Sequence, residues 1–224
     1  MRIIFIRHGH PDYANDCLTE LGHKQAQAAA LRLKEENIDK FYSSSYGRAY
    51  ETALHIAEGR NMEVEKLYFM REIDWAPKEA TSDKGYSPWD LTAKMIENGQ
   101  SLMSPLWANE DPFDKSPMTQ RVIELGKELD KWLEGLGYKR EGEFYRVSQP
   151  KYKTILLASH AGSSTAALSH IFNLPMPFVS KAFAPPHTAI TIVSLSDVEG
   201  NLTAPSFKIL NDAKHIEGIT VDKT

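Results

Sequence analysis

Apolar residues recur along the chain in two rhythms. Ile3 to Ile6 form a continuous run, β-branched and too short for a helix, and read as a buried strand. Thr154 to Ala158 repeats that pattern. Asp39 to Ser44, Val64 to Met70, Ala189 to Leu195 and Ser206 to Leu210 are predicted as further strands. Tyr138 to Val147, with Glu-Gly at its centre, is predicted as a hairpin. Between these runs the period changes. Gly22, Ala26, Ala29 and Leu33 share one face of a helix that Thr19 suits as N-cap and Asn37 as stop. A second helix starts directly after the Asp39–Ser44 strand and runs to about Gly59. Pro88 to Asn98 fits a short helix. Met118, Val122, Leu125, Leu129, Trp132 and Leu136 mark a long amphipathic helix ending near Gly137. A last helix covers about Ser163 to Ile171. Strands alternating with helices predict an α/β sandwich, read as one domain over residues 1–224.

One stretch breaks the alternation. Residues 76–117 hold Pro77, Pro88, Pro105, Pro112 and Pro117, interleaved with Tyr86, Trp89, Trp107 and Phe113. A flexible linker would be rich in glycine and serine, so this reads as an ordered, aromatic-rich insertion. Its expected role is a lid or a substrate-selecting segment; the plainer alternative is a surface insertion packing its own aromatics.

Composition narrows the function classes. Hydrophobic residues at 42% and charged residues at 25% are ordinary for a globular protein. The formal charge, 26 − 30 = −4, argues against binding nucleic acid, so an anion site must come from a few convergent cations. Cys17 is the single cysteine, which excludes an intrachain disulfide and a cysteine-rich metal site. No apolar run has the length of a membrane span or the form of a signal peptide, and a cytoplasmic protein is the expectation.

Candidate chemistry lies at two strand ends. The first strand ends in Arg7-His8-Gly9, and the Thr154 strand ends in Ser159-His160-Ala161-Gly162. Ligands of open α/β sheets bind beyond the carboxyl ends of the strands. Two parallel central strands would bring both imidazoles to one crevice. Arg48 falls in the first turn of the second helix, where the helix dipole disfavours a cation unless an anion is shared there. Arg7 and Arg48 suit phosphate oxygens, and the backbone amides of Gly9 and of Ala161 and Gly162, after His160, are candidate donors. A neutral His8 is a candidate nucleophile toward phosphorus. Glu72, just past the third strand, is a candidate general acid. His10, Asn15, Thr19, Trp75 and His187 are candidates for contacts with the rest of the substrate. His23, His55, His170 and His215 read as structural.

These segments, in this order, resemble the histidine phosphatase superfamily in its phosphoglycerate-mutase-like branch. The matching pieces are the opening strand with Arg7-His8-Gly9, then Leu18-Thr19-x-x-Gly22-x-x-Gln25-Ala26. Next come Ser43-Ser44 with Arg48-Ala49-x-x-Thr52-Ala53, then Glu72-Ile73-Asp74, and finally Ser159-His160-x-Gly162. The resemblance implies a three-layer α/β/α sandwich with a mostly parallel central sheet. It implies in-line attack by His8 to give phosphohistidine, with Arg7, Arg48 and His160 holding the phosphoryl oxygens. Glu72 would protonate the leaving alcohol and then activate water. That scheme requires no metal and no cofactor, and its partner is a small-molecule phosphate ester. Two departures stand out: Asp74-Trp75-Ala76-Pro77 follows the acid where the family often has glycine, an aromatic and an acidic residue, and His10 replaces the usual Glu or Gln. The first of these, together with the 76–117 insertion, favours a phosphatase over a phosphomutase. The other readings are a metal-dependent hydrolase using His8-Gly9-His10 as a ligand pair, and a non-catalytic phosphate-binding protein on the same fold.

Overall fold

The β-branched runs and small-faced helices assemble around one sheet. The computed structural model describes residues 1–82 and 84–219. In chain order the elements are β1 (Arg2–Arg7), β2 (Pro11–Asp12), β3 (Cys17–Leu18), α1 (Glu20–Arg32), β4 (Lys40–Ser44), α2 (Gly47–Ala57), β5 (Val64–Leu67), α3 (Pro88–Glu97) and α4 (Pro117–Gly135). There follow β6 (Tyr138–Glu141), β7 (Phe144–Val147), β8 (Thr154–Ser159), α5 (Ala161–Phe172), α6 (Met176–Ala182), β9 (Ile190–Ser194), β10 (Leu202–Thr203) and β11 (Ser206–Asp212).

The central sheet has six strands in the order β11-β9-β1-β8-β4-β5. β1, β8, β4 and β5 are mutually parallel, while β9 runs antiparallel to β1 and to β11. Alternation along β1 sorts the core into two layers. Ile3 and Phe5 join the α4 and α5 residues Leu125, Leu129 and Ala166 on one face. Ile4 and Ile6 join Ala29 and Leu33 of the α1 segment and Ala53 and Ile56 of α2 on the other. Successive strand side chains point to opposite faces, so a strand covered on both sides reads as a continuous apolar run.

Some boundaries move. α1 stops at Arg32, with Leu33 as its C-cap, before Asn37. The Val64 strand ends at Leu67 and tightens into a 3-10 turn over Tyr68–Met70. That turn carries Arg71 and Glu72 beyond the sheet edge. The 138–147 hairpin forms, but it pairs with β10 in a separate three-stranded sheet. α6 has Pro175 at its N-cap and Pro177 in its first turn. Prolines read as breakers in the sequence, yet a first turn tolerates them because those N–H groups lack helical partners anyway.

The 76–117 insertion is not a detached flap. Leu91, Met95 and Phe113 lie in the same buried cluster as Ile3 and Phe5. α3 packs on α6, and Trp89 meets Trp75 edge-on at 6.1 Å between ring centroids. Among the described residues, no helix is long and apolar enough to cross a membrane.

Candidate active site

Register builds the centre of the site. β1 and β8 pair in parallel with Arg7 opposite Ser159, so His8 and His160 leave the sheet at the same level. The His8 N–H donates to the Ser159 carbonyl at 2.9 Å. The two imidazole centroids are 5.1 Å apart, and both side chains are buried. His8 Nδ1 lies 2.7 Å from its neighbour Gly9 O. A carbonyl only accepts, so Nδ1 carries the proton and Nε2 holds the free lone pair of the neutral ring. Burial, then the charges of Arg7 and Arg48, push the His8 pKa down to about 3. His160 is lowered well below its usual value by burial and by His8, Arg48 and Arg7. Its Nε2 lies 2.8 Å from Ser44 Oγ, and β4, which carries Ser44, is the next strand of the sheet.

The arginines come from β1 and from the first turn of α2. Arg7 Nη1 donates to Pro185 O at 2.9 Å. Arg48 is buried and donates from Nη1 to Asp16 Oδ1 at 2.5 Å. Asp16 Oδ2 accepts the Gly47 N–H at 2.7 Å. The anion expected at this helix N-terminus is therefore already present as the Asp16 carboxylate. Tyr13 and Tyr46 lie over the Arg48 guanidinium at 5.3 and 4.9 Å. Arg7 Nε, Arg48 Nε and His160 Nδ1 are buried and have no hydrogen-bond partner within the protein. Polar groups so placed are usually satisfied. These three belong to side chains that surround His8, which is the arrangement an oxyanion pocket needs.

Glu72 sits at the N-terminus of α5. Its carboxylate accepts from Ser163 N at 3.0 Å, Gly162 N at 3.2 Å and Ile73 N at 3.0 Å. Burial raises its pKa, and those three amides and Arg48 oppose the rise. A cleft of about 420 Å³ opens beside it, lined in part by Tyr46, Tyr68, Arg71 and Arg121.

Two glycine amides expected at the anion have other partners. Gly9 N donates to Thr52 Oγ1 at 3.1 Å, and Gly162 N is taken by Glu72. Both glycines instead permit close approach. A Cβ on Gly162 would fall 1.9 Å from the Trp75 ring and 2.6 Å from Glu72 Oε1. A Cβ on Gly9 would fall 2.6 Å from Gly22 O. Ala161 opens α5, and its carbonyl accepts from Thr165 Oγ1 at 2.7 Å. Trp75 is buried against Gly162, so it acts as a wall behind the acid.

The remaining candidates divide. His187 reaches the centre: its ring lies 5.8 Å from His8 and 5.5 Å from His10. Burial, then Arg7 and His10, push its pKa down to about 4. Thr188 behind it is buried with φ 52, a left-handed conformation rare for a β-branched residue, and it fixes the turn that presents His187. His10 is exposed, with Nδ1 2.9 Å from Thr19 Oγ1. Thr19 caps α1 by accepting from Gly22 N at 3.1 Å. Asn15 is not brought in: it is exposed in the turn after β2, and its amide donates to Asp12 Oδ2 at 2.8 Å. His23 pairs with His55, His170 with Asp130, and His215 with Thr188, the residue that follows His187. Sequence reading missed Asp16 and Tyr13, because their roles come from a loop folding back over α2, and Tyr46, the N-cap residue of α2. Thr52, four residues after Arg48 on the same helix face, carried a readable signal.

The sequence pattern of the Histidine phosphatase superfamily (branch 1) matches residues 3–206. The chain belongs to that superfamily. Phosphoserine phosphatase 1 of Hydrogenobacter thermophilus is 37% identical over 83 residues, which cover 33% of this chain and 39% of that protein. A probable phosphoglycerate mutase GpmB of Proteus mirabilis is 24% identical over 188 residues, covering 78% of this chain and 76% of that one. The phosphoserine phosphatase of Entamoeba histolytica, solved with phosphoserine, superimposes with a TM-score of 0.66 at 23% identity. That match covers 96% of this chain and 98% of that one, and shows the shared fold. The histidine phosphatase sandwich thus accounts for the whole sheet and for the order of the site segments.

Proposed function

We propose that the protein is a metal-independent phosphomonoester phosphatase that works through phosphohistidine on His8. The observation that carries this reading is the His8 ring, fixed through Nδ1 at 2.7 Å from Gly9 O with Nε2 free. Around it stand Arg7, Arg48 and His160, each with a buried nitrogen unpartnered in the protein. His8 Nε2 attacks phosphorus in line, and the bond to the leaving oxygen breaks as the N–P bond forms. Arg7, Arg48 and His160 donate to the equatorial oxygens and spread the charge. Glu72, whose burial favours its protonated form, gives its proton to the departing alcohol. Its carboxylate then takes a proton from water, which attacks phosphorus and returns His8 to the neutral form. No step needs a metal.

The phosphoserine phosphatases of Hydrogenobacter thermophilus and Entamoeba histolytica among the similar proteins support hydrolysis of a small phosphate ester, while the probable phosphoglycerate mutase of Proteus mirabilis keeps internal transfer as the second reading. The test is a panel of small phosphate esters incubated with and without chelator, wild type against His8→Ala. Hydrolysis that resists chelator and vanishes in His8→Ala is expected. Loss of hydrolysis on chelation would point to the metal-dependent reading. Transfer of phosphate to a second hydroxyl without net release would point to a mutase.

A further inference from the structure

We propose that Asp16 is a positioning residue for phosphoryl transfer, acting through Arg48. This rests on the phosphatase reading above. The β2–β3 hairpin folds over the start of α2 and is tied there at three points. Glu51 Oε2 accepts the Leu18 N–H at 2.7 Å. Asp16 Oδ2 accepts the Gly47 N–H at 2.7 Å, and Asp16 Oδ1 accepts from Arg48 Nη1 at 2.5 Å. Gly47 must be glycine for this approach, since a Cβ there would fall 2.0 Å from Asp16 O. Asp16 itself adopts φ 50, a left-handed conformation that aspartate tolerates better than most residues. One carboxylate therefore caps the helix and fixes one arm of the buried guanidinium.

That contact decides how Arg48 meets the phosphoryl group. The guanidinium is planar with its donors in a fixed fork, so fixing Nη1 fixes the direction of the remaining edge. The rings of Tyr46 and Tyr13, both packed on the guanidinium, limit its tilt. Nε remains buried and without a partner in the protein. The Asp16 charge also offsets part of the positive charge of the pocket, which weakens binding of the ground-state dianion. Removing the side chain and removing only its charge thus have different consequences.

The test compares wild type, Asp16→Ala and Asp16→Asn. It measures kcat and KM for a small aryl phosphate, and the dissociation constant for orthovanadate. Asp16→Ala leaves Arg48 unanchored, and kcat falls about 10- to 100-fold while KM changes less than about threefold. Asp16→Asn keeps one oxygen, which can accept from Arg48 Nη1, and gives up the second acceptor that holds the Gly47 N–H. It retains kcat within about fivefold of wild type and binds vanadate a few-fold more tightly, since a negative charge has left the pocket. A kcat for Asp16→Ala within about twofold of wild type overturns the proposal. Should Asp16→Ala fail to fold, the vanadate constant of Asp16→Asn decides, and unchanged or weaker binding overturns it. Wild type that neither hydrolyses the ester nor binds vanadate defeats the phosphatase reading itself, a result distinct from both.

Discussion

At the scale of single residues, the site separates nucleophile from acid by surroundings. His8 is kept neutral by burial and by two arginines, while Glu72 is pushed toward its protonated form by burial. Both are the states that the first chemical step uses. The demand on Glu72 depends on the leaving group. An aryl oxide departs without a proton, whereas an alkoxide does not. Glu72→Gln should therefore slow first-turnover release from an alkyl phosphate by about 10²- to 10⁴-fold, and release from a nitrophenyl phosphate by less than about tenfold. Rapid-mixing measurement of the released alcohol checks this, and equal slowing of both esters would remove Glu72 from the role of acid. The same residue shows where reading the sequence reached its limit. His8, His160 and both arginines stand beside strands or in a helix turn that hydrophobic pattern locates. Asp16 and Tyr13 stand in a hairpin of two-residue strands, whose path over α2 no periodicity encodes.

At the scale of elements, parallel register does most of the work. Arg7 opposite Ser159 brings two distant histidines to within 5.1 Å, and the adjacent β4 supplies Ser44 to one of them. The pattern of buried runs made that arrangement legible, because a strand covered on both faces must be central. The glycines were read less well. Gly9 and Gly162 were expected to expose amides to phosphate, but each serves mainly to let another element come close. At Gly162 the start of α5 meets both Trp75 and Glu72, so helix, wall and acid share one contact. A Gly162→Ala substitution should cost about 1–3 kcal/mol of stability through overpacking. It should also lower kcat by about tenfold or more by displacing the carboxylate. Denaturant unfolding and steady-state kinetics check the two effects, and a fully active, fully stable variant would contradict the geometry. The insertion was read as ordered, but its contribution to the core was not foreseen. Its aromatic content left open whether Phe113 packs within the insertion or under the sheet; it does both, meeting Trp107 edge-on at 5.3 Å and joining the buried cluster that contains Ile3 and Phe5.

At the scale of the whole molecule, the buried imidazoles tie stability to pH. An unfolded histidine takes up its proton near 6.5, whereas His8 in the folded chain does so near 3 and His187 near 4. His160 shifts in the same direction. Between those values the unfolded chain binds more protons than the folded one, so stability rises with pH and is lost as pH falls below the unfolded value. Glu72, shifted upward, has the opposite sign: its contribution is present at low pH and is lost as pH rises above its ordinary value of 4.5. The melting temperature should fall between about pH 7 and about pH 5, and fall less steeply in His187→Gln. Parallel melting curves for the two proteins would contradict the assignment of His187 as a half-buried neutral group.

The central claim is a covalent bond between His8 and phosphorus, and trapping it is the most direct test. The protein is mixed with a ³²P-labelled phosphate ester, quenched in denaturant at alkaline pH, and the bound label is counted before and after brief acid treatment. Label that is held in alkali, released by acid and absent from His8→Ala is the expected result. Wild-type protein that turns over the ester yet never carries label, or label that persists in His8→Ala, would contradict it.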